Sequence, residues 1–327
     1  MNSIKTVAVT GSAGFVGRAV VRALLAAGYS VRALVRTREK ARKSLPTSDQ
    51  RLTLVAGDAA DPAVAAQLLQ GAHACINLIG IIRQAPGATF VKAHVRTTEV
   101  LIAAAASAGC KRFLQMSALG VGHDGDTEYR RTKWDAELIV RSSGLDWTIF
   151  RPSMIHGASG EFIQTAASWA TGKSAPWFFL PYFSRRVPDP TCPSGTAPEV
   201  APVIAPIAVE DVAAAFVKAV STPESIGEIY NLAGPEILSW PDLLTLIRDS
   251  VPGAKHNLRP WPIPGDVAAI GAKVAGLAGL GWALPFDEGM AVMGSSDSAA
   301  SMDKVRADLG IEAKPFTSTF RAYAASL

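Results

Sequence analysis

The chain has 327 residues and a mass of 34.3 kDa, enough for one large domain or two modest ones. Apolar residues make up 49% of it and charged residues 18%, a composition that excludes disordered and fibrous proteins. The formal net charge is +4, yet residues 1–50 alone hold nine Lys and Arg against two acidic residues. Because this basic excess is local, we expect no nucleic-acid-binding surface along the chain.

Three cysteines, Cys75, Cys110 and Cys192, lie far apart, which argues against a disulfide framework or a CxxC metal site. The five histidines show no metal-ligand spacing, so we predict ordinary packing or surface roles for them and no metal. Residues 1–5 lead directly into an apolar strand signal and leave no room for a signal peptide. Together these features predict a cytoplasmic protein.

The longest apolar region, 263–286, carries Asp266, Lys273, two prolines and several glycines. It lacks the roughly 20 uninterrupted apolar residues of a spanning helix. We predict a buried helix here, with a helix lying on a membrane surface as the alternative, so the protein could be peripheral to a membrane.

Strand and helix signals alternate along the first half of the chain, with short connections between them. Apolar runs bounded by Gly, Asp or Pro predict strands at 6–10, 31–35, 52–56, 74–79, 112–116 and 148–151. Helices are predicted at 15–27, 62–69, 90–107 and 129–143. Repeated strand–helix units of this kind predict an α/β fold with a Rossmann-type doubly wound parallel sheet.

This alternation stops after about residue 152. Residues 174–206 contain eight prolines and predict a long irregular loop, followed by helices at 209–220 and 241–251 and a strand at 228–232. We therefore predict two domains, 1–152 and a smaller C-terminal α/β lobe over 153–327.

A glycine-rich turn, TGSAGFVG at 10–17, follows the first predicted strand and opens the first helix. Gly11 would allow the tight turn, Gly14 the approach of a pyrophosphate, and Gly17 close packing of helix on strand. In this strand–turn–helix context the motif predicts a dinucleotide site and makes 1–152 an NAD(P)-binding domain.

The residues after the second strand indicate which cofactor binds. An acidic residue that would hold an unphosphorylated ribose is absent there, and Arg36 and Arg38 take its place. Guanidinium groups suit a 2′-phosphate, so we favour NADP(H) over NAD(H); a solvated helix start is the alternative. Further along, Asp58 and Ala59 would lie near the adenine, and Leu78, Ile79 and Gly80 end the fourth strand beside the cofactor. Asp58 could instead be an ordinary turn residue.

A possible catalytic set follows the fifth strand. Ser117 closes that strand, and Tyr129 and Lys133 lie four residues apart on the next predicted helix, which places them on one face. A nearby ammonium would lower the pKa of the phenol and make Tyr129 a general acid or base, with Ser117 holding the substrate oxygen. Lys133 would also hold the nicotinamide ribose. A degenerate, idle site is the alternative.

These motifs resemble the short-chain dehydrogenase/reductase superfamily, in its extended or atypical branch of epimerase/dehydratase-like proteins. The segments RPSMIHG at 151–157, VEDV at 209–212 and GEIYNLAGP at 227–235 continue the resemblance. INLIG at 76–80 and GPE at 234–236 resemble, more narrowly, the family of the NADPH-binding accessory subunit of respiratory complex I. The resemblance implies that the cofactor also contacts Ala13, Phe15, Val16, Pro152 and Ile155. The Pro-rich stretch 188–202 departs from the family pattern as an insertion.

Three functions are compatible with this resemblance. The first is an NADP(H)-dependent oxidoreductase, epimerase or dehydratase acting on an unidentified carbonyl or alcohol through Tyr129 and Lys133. The second is a non-catalytic, NADPH-loaded subunit or assembly factor, and the third an NADP(H)-sensing regulator. The aromatic run 177–183 predicts either a lid over the substrate or a docking patch, and contact with a protein or membrane surface would use 174–206 and 263–286.

Overall fold

The computed structural model describes residues 5–187, 198–277 and 286–327, which form two compact units. Unit 1 comprises Met1–Pro152, Val209–Leu232 and Ser301–Ala313, and unit 2 comprises Ser153–Ala208, Ala233–Ala300 and Lys314–Leu327. The predicted division into the consecutive domains 1–152 and 153–327 differs from this arrangement, because two later segments return to unit 1.

Unit 1 is built on strands and helices that alternate along the chain. Its strands are β1 (Thr6–Thr10), β2 (Ser30–Val35), β3 (Leu52–Ala56), β4 (Ala74–Asn77), β5 (Arg112–Met116), β6 (Asp146–Pro152) and β12 (Glu228–Leu232). Its helices are α1 (Phe15–Ala26), α2 (Arg38–Arg42), α3 (Pro62–Leu69), α4 (Thr97–Ser107), α5 (Glu128–Arg141), α7 (Val209–Ala219) and α11 (Asp303–Leu309). A π-helical segment, Val91–Arg96, runs directly into α4.

The seven strands form one parallel sheet in the order β12-β6-β5-β4-β1-β2-β3. The order reverses direction beside β1, which is the position where doubly wound folds bind ligands at the carboxyl edge. This sheet confirms the predicted Rossmann-type α/β fold. Segment 209–232 belongs to unit 1 because β12 pairs with β6 and α7 packs on α1.

Local sequence signals explain the ends of several helices in unit 1. Asp61 caps α3 by accepting the Ala63 N–H at 2.9 Å, and Thr127 caps α5 by accepting the Arg130 N–H at 3.2 Å. The helix predicted over 90–107 is in fact two segments, since its first six residues adopt the π form. That register shift does not leave a signature in the apolar pattern.

Unit 2 carries shorter strands around a helical core. Its strands are β7 (Ile155–His156), β8 (Leu180–Arg186), β9 (Glu199–Val200), β10 (Val203–Ile204), β11 (Ile207–Ala208), β13 (Leu238–Ser239) and β14 (Pro260–Pro264). Its helices are α6 (Glu161–Ala170), α8 (Trp240–Ser250), α9 (Gly265–Leu277), α10 (Glu288–Gly294) and α12 (Phe316–Ala324).

The prediction of an irregular loop over 174–206 is wrong for residues 180–186, which form β8 in parallel pairing with β14. Prolines hide both strands in the sequence. In β14 they stand at alternate positions, 260, 262 and 264, and an edge strand tolerates them because only one side of its backbone joins the ladder. Most of the Pro-rich stretch 188–202, with Cys192, lies outside the described residues.

The apolar region 263–286 also differs from its prediction of a buried helix. Helix α9 begins at Gly265 and buries only one side, with Val267, Ile270 and Val274 exposed on the other. Residues 278–285 lie outside the described part of the chain. No helix among the described residues is long and apolar enough to cross a membrane.

Candidate active site

Three glycines, Gly11, Gly14 and Gly17, shape the turn from β1 into α1. Gly11 has a φ of +65°, in the left-handed region that favours glycine. A Cβ on Gly17 would lie 2.1 Å from the Gly11 carbonyl oxygen, so only glycine lets α1 pack this closely on the loop. Gly14 is the N-cap of α1 and supplies no side-chain cap to its first-turn N–H groups. Those groups and the helix dipole make the carboxyl edge of the sheet attractive to anions.

A chain of buried polar side chains joins the carboxyl ends of β1, β4 and β5. Thr10 Oγ1 donates to Asn77 Oδ1 at 2.6 Å, and Asn77 Nδ2 donates to Gln115 Oε1 at 2.9 Å. Asn77 Oδ1 also accepts the Ile79 N–H at 3.2 Å, which fixes the backbone just beyond β4. The network holds together the strand ends that carry the predicted cofactor residues. Sequence analysis missed it, although polar residues interrupting three apolar strands were a visible signal.

The structure brings Gly80, Ser117 and Lys133 together. Lys133 is buried, and its Nζ donates to the Met116 carbonyl oxygen at 3.1 Å. The same Nζ lies 2.9 Å from where a Cβ on Gly80 would be, so glycine there makes room for the ammonium. Ser117 Oγ is buried and has no hydrogen-bond partner among the described residues. A buried hydroxyl without a partner, one residue after the carbonyl that accepts from Lys133, is compatible with a bound molecule that supplies the missing contact.

Tyr129 lies one turn before Lys133 on α5 and packs against two rings. Its ring centroid is 5.4 Å from that of His94 and 5.8 Å from that of Phe90, both edge-on. Tyr129 as a whole residue is partly exposed, and its ring is held by this packing. This positions the phenol firmly.

His94 was predicted to have an ordinary packing or surface role, but it belongs to this site. Its Nε2 accepts the Ile81 N–H at 3.3 Å, and its Nδ1 is 2.9 Å from Thr132 Oγ1. It lies in the π-helical segment, a rare form that often occurs at functional sites. Because the π register brings His94 to the end of β4, its role could not be read from residue spacing.

Burial sets the ionisation of these groups. It raises the pKa of Tyr129 to about 12, lowers the pKa of Lys133 to about 8 against the opposing effect of Glu137, and lowers the pKa of His94 to about 3. At neutral pH the phenol is protonated, the lysine is an ammonium and the imidazole is neutral. The expected lowering of the pKa of Tyr129 by Lys133 is therefore wrong for this structure, since burial against Phe90 and His94 dominates.

The predicted adenosine residues lie at the ends of β2 and β3. Arg36 and Arg38 are exposed, and neither has an ion-pair partner within the described chain. Asp58 forms an ion pair with Lys92 at 2.8 Å and accepts the Ala60 N–H at 3.0 Å, and these contacts lower its pKa. The Ala59 side chain is buried in the core of unit 1, so only its backbone is available to a ligand.

The remaining predicted residues are placed as follows. Ala13 lies in the glycine loop, and Phe15 and Val16 begin α1. Leu78 and Ile79 follow β4 in the order expected. Pro152 ends β6 in unit 1, whereas Ile155 lies in β7 of unit 2, so the two fall in different units.

Comparison with known proteins identifies the fold and the domain. An NAD(P)H-binding family matches residues 11–168. The dTDP-glucose 4,6-dehydratase DesIV of Streptomyces venezuelae, solved with NAD bound, superimposes with a TM-score of 0.70 over 98% of this chain and 95% of its own, at 20% identity. The site geometry lies within the matched region. Over residues 11–168 the chain is therefore similar to NAD(P)H-binding proteins, and it shares the fold of this dehydratase.

Two curated relatives show the range of functions among proteins similar to this chain. NADH dehydrogenase (ubiquinone) 1 alpha subcomplex subunit 9 of Dictyostelium discoideum is 23% identical over 79% of this chain and 67% of its own length. NAD(P)H azoreductase of Xenophilus azovorans is 25% identical over 72% of this chain and 70% of its own length. The narrower resemblance to the complex I subunit is thereby confirmed, beside an equally similar reductase.

The residues present fit a nicotinamide dinucleotide. The glycine loop provides the cradle for a pyrophosphate, and a Cβ on Gly80 would fill space beside the Lys133 ammonium. The unpartnered Ser117 Oγ supplies a free hydrogen-bonding group at the same strand edge. These observations fit a nicotinamide cofactor at the carboxyl edge of the sheet.

Proposed function

We propose that the chain is an NADP(H)-dependent oxidoreductase that interconverts a carbonyl and an alcohol. The observation that carries this proposal is that Lys133, one helical turn after Tyr129, is buried with its Nζ bonded to the Met116 carbonyl oxygen, directly before Ser117, whose buried hydroxyl has no partner among the described residues. Burying an ammonium destabilises the fold, and a protein that only holds a cofactor has no need of the complete set.

The three side chains have distinct tasks in this proposal. When bound, the nicotinamide exchanges a hydride with the substrate carbon. Tyr129, protonated at neutral pH, donates its proton to the carbonyl oxygen as that oxygen gains charge, and Ser117 orients the same oxygen by a hydrogen bond. The Lys133 ammonium would hold the nicotinamide ribose, and solvent returns the proton to the phenolate. Carbonyl, hydride and proton together give the alcohol.

The high pKa of Tyr129 supports reduction as the favoured direction. A phenol that keeps its proton at neutral pH is ready to act as an acid, whereas alcohol oxidation needs the phenolate. A transient oxidation followed by reduction of the same substrate would serve an epimerase or dehydratase with the same residues.

We also propose that the cofactor is NADP(H). Arg36 and Arg38 follow β2, where an unphosphorylated ribose usually meets a carboxylate, and Arg36 lies close enough to Asp58 to lower its pKa. Two exposed guanidinium groups that form no ion pair within 4 Å among the described residues favour a 2′-phosphate.

A non-catalytic, NADPH-loaded subunit or assembly factor is the second candidate. Two observations favour it: the similarity to the NADH dehydrogenase subunit, and the absence of Lys133 among the groups that shift the pKa of Tyr129. In this case the glycine loop would bind the cofactor permanently and Tyr129 would be idle.

Replacing Tyr129 by Phe separates the two candidates. The purified protein would be incubated with NADPH and a panel of aldehydes, ketones and quinones while nicotinamide absorbance is followed. We expect turnover with at least one carbonyl in the wild type, a loss of 100-fold or more in kcat for Tyr129→Phe, and nearly unchanged NADPH affinity. Bound NADPH that no carbonyl oxidises, with identical behaviour of the variant, would establish the non-catalytic function instead.

A further inference from the structure

One face of unit 2 exposes large aromatic side chains. Phe178 is 82% exposed, Trp261 61% and Trp177 54%, although such residues are usually buried in globular proteins. They lie at the start of the paired strands β8 and β14, where the ring of Phe179 is 6.4 Å from that of Trp261. We call Trp177, Phe178 and Trp261 the aromatic tip.

Helix α9 extends the exposed apolar surface from the aromatic tip. Its inner side packs through Ala268 and Ala269 on Phe183 of β8 and Ile263 of β14. Ile263 lies two residues beyond Trp261, so both project from the same face of the strand pair. Helix α9 therefore covers one end of this face and leaves the end with Trp261 uncovered.

The outer side of α9 is apolar as well. Val267, Ile270 and Val274 stand three and four residues apart, on the side of the helix opposite its buried alanines, and Ile270 is 65% exposed. We call these three residues the α9 stripe. Because α9 lies on the face from which Trp261 projects, the stripe points away from the strands in the same direction as the aromatic tip.

Basic side chains border the aromatic tip. Lys173 precedes Trp177 by four residues, Arg259 precedes Trp261 by two, and the Nζ of Lys255 lies 2.5 Å from where a Cβ on Gly172 would be. All three are exposed and have no acidic partner within the described chain. The acidic residues of α9 and α10 differ in this respect, since Asp266 pairs with Arg186 and Glu288 with Lys273.

We propose that this face of unit 2 rests on the surface of a bilayer that contains anionic lipid. Tryptophan and phenylalanine insert readily among headgroups, and an amphipathic helix lying flat buries its apolar stripe at the acyl boundary. Lys173, Lys255 and Arg259 would contact lipid phosphates, each strengthening the attraction. A second copy of the chain fits poorly, because a symmetric contact would bring the same cations against each other.

Sedimentation with sucrose-loaded vesicles tests the proposal. Vesicles of phosphatidylcholine alone are compared with vesicles containing phosphatidylglycerol, each at low and high salt, with the full-length protein. We expect several-fold stronger binding to the anionic vesicles, reduced at high salt. Phe178→Ser should weaken it about tenfold, and Arg259→Ala about fivefold.

Two variants in unit 1 serve as matched controls. Lys111→Ala removes an exposed lysine that has no acidic partner in the described chain, and Ile226→Ser removes an exposed apolar side chain. Both should bind vesicles like the wild type, and all four variants should keep their melting temperature. Equal losses in the controls, or no binding to anionic vesicles, would overturn the proposal. So would a dimer in analytical ultracentrifugation that Phe178→Ser dissociates, since the occupant would then be a second copy.

Discussion

Single side chains decide cofactor choice in this protein, and Arg36 and Arg38 are the pair to test. Replacing both by Ala should weaken NADPH binding by roughly 1.5–3 kcal/mol, one to two decades in Kd, because charge-assisted contacts to the 2′-phosphate are lost. NADH binding should change little. Calorimetry with both cofactors measures the ratio, with Lys111→Ala as a control that removes one exposed positive charge outside the site. A double variant that keeps the wild-type ratio would show that these arginines are only a solvated helix start.

Lys133 shows how a functional group can destabilise the fold that holds it. Burial lowers its pKa from 10.5 to about 8, so the charged form destabilises the cofactor-free fold by roughly 3 kcal/mol at pH 7. Lys133→Met removes this penalty and loses one hydrogen bond to Met116, worth about 1 kcal/mol. We expect a Tm higher by roughly 4–8 °C at pH 7, together with weaker NADPH binding.

The pH dependence of that gain follows from the direction of the shift. Below pH 8 the lysine is charged in both states and the folded protein carries the full penalty. Between pH 8 and 10.5 the folded lysine is neutral while the unfolded one still binds a proton, so wild-type stability rises with pH. The advantage of Lys133→Met should therefore shrink across this range. A variant that is less stable at pH 7, or a gain that does not vary with pH, would contradict the explanation.

Between β1 and α1, two glycines of one loop have separable roles. A Cβ on Gly17 would lie 2.1 Å from backbone, whereas a Cβ on Gly14 would meet only the Gly11 carbonyl oxygen, at 3.1 Å. Gly17→Ala should reduce the free energy of unfolding by several kcal/mol and lower the Tm strongly. The reason is that the backbone of α1 and the backbone of Gly11 and Ser12 are both fixed by packing and cannot move aside for the methyl group. Gly14→Ala should fold with a nearly normal Tm but bind NADPH at least tenfold more weakly, since the added methyl group would take up space that the glycine loop leaves for a pyrophosphate. Thermal melts with and without NADPH distinguish the two effects. Equal Tm values for both variants, with and without NADPH, would contradict the assignment of separate roles to the two glycines.

Elements whose conformation depends on their own residues could be predicted from the sequence, and elements that depend on contacts with distant segments could not. Strands β1, β3 and β5 have the predicted bounds because each is a short apolar run between turn residues, and in β1 and β5 that run reflects burial on both faces. Strands β8 and β14 were missed because their prolines are tolerated only at that edge pairing. The glycine loop was readable since its conformation depends on its own residues. The position of His94 and the hydrogen bonds that join Thr10, Asn77 and Gln115 could not be predicted, because they arise from contacts between distant segments of the chain.

Across both units, acid should destabilise the fold through two buried histidines. Burial lowers the pKa of His94 in unit 1 to about 3 and that of His156 in unit 2 to about 4. His156 is packed edge-on against Phe316 at 4.7 Å, with its Nδ1 3.1 Å from the Tyr323 hydroxyl. Each imidazole is neutral in the folded protein. The free energy of unfolding is therefore at its full value above pH 6.5, and it falls at lower pH because the histidines bind protons in the unfolded chain but not in the folded one.

The size of this effect can be measured one histidine at a time. Between pH 7 and 4.5, His156 alone should account for roughly 2 kcal/mol of lost stability, and His156→Gln should remove that part of the pH dependence even if its packing defect lowers stability at every pH. His94→Gln should do the same in unit 1, and the two effects should add because the rings lie in separate units. Urea midpoints at the two pH values give the comparison, with exposed His123→Gln as the control. The urea midpoints of the wild type and of the double variant His94→Gln/His156→Gln could instead fall by the same amount between the two pH values. That result would assign the acid sensitivity to the carboxylates that are paired with Arg and Lys.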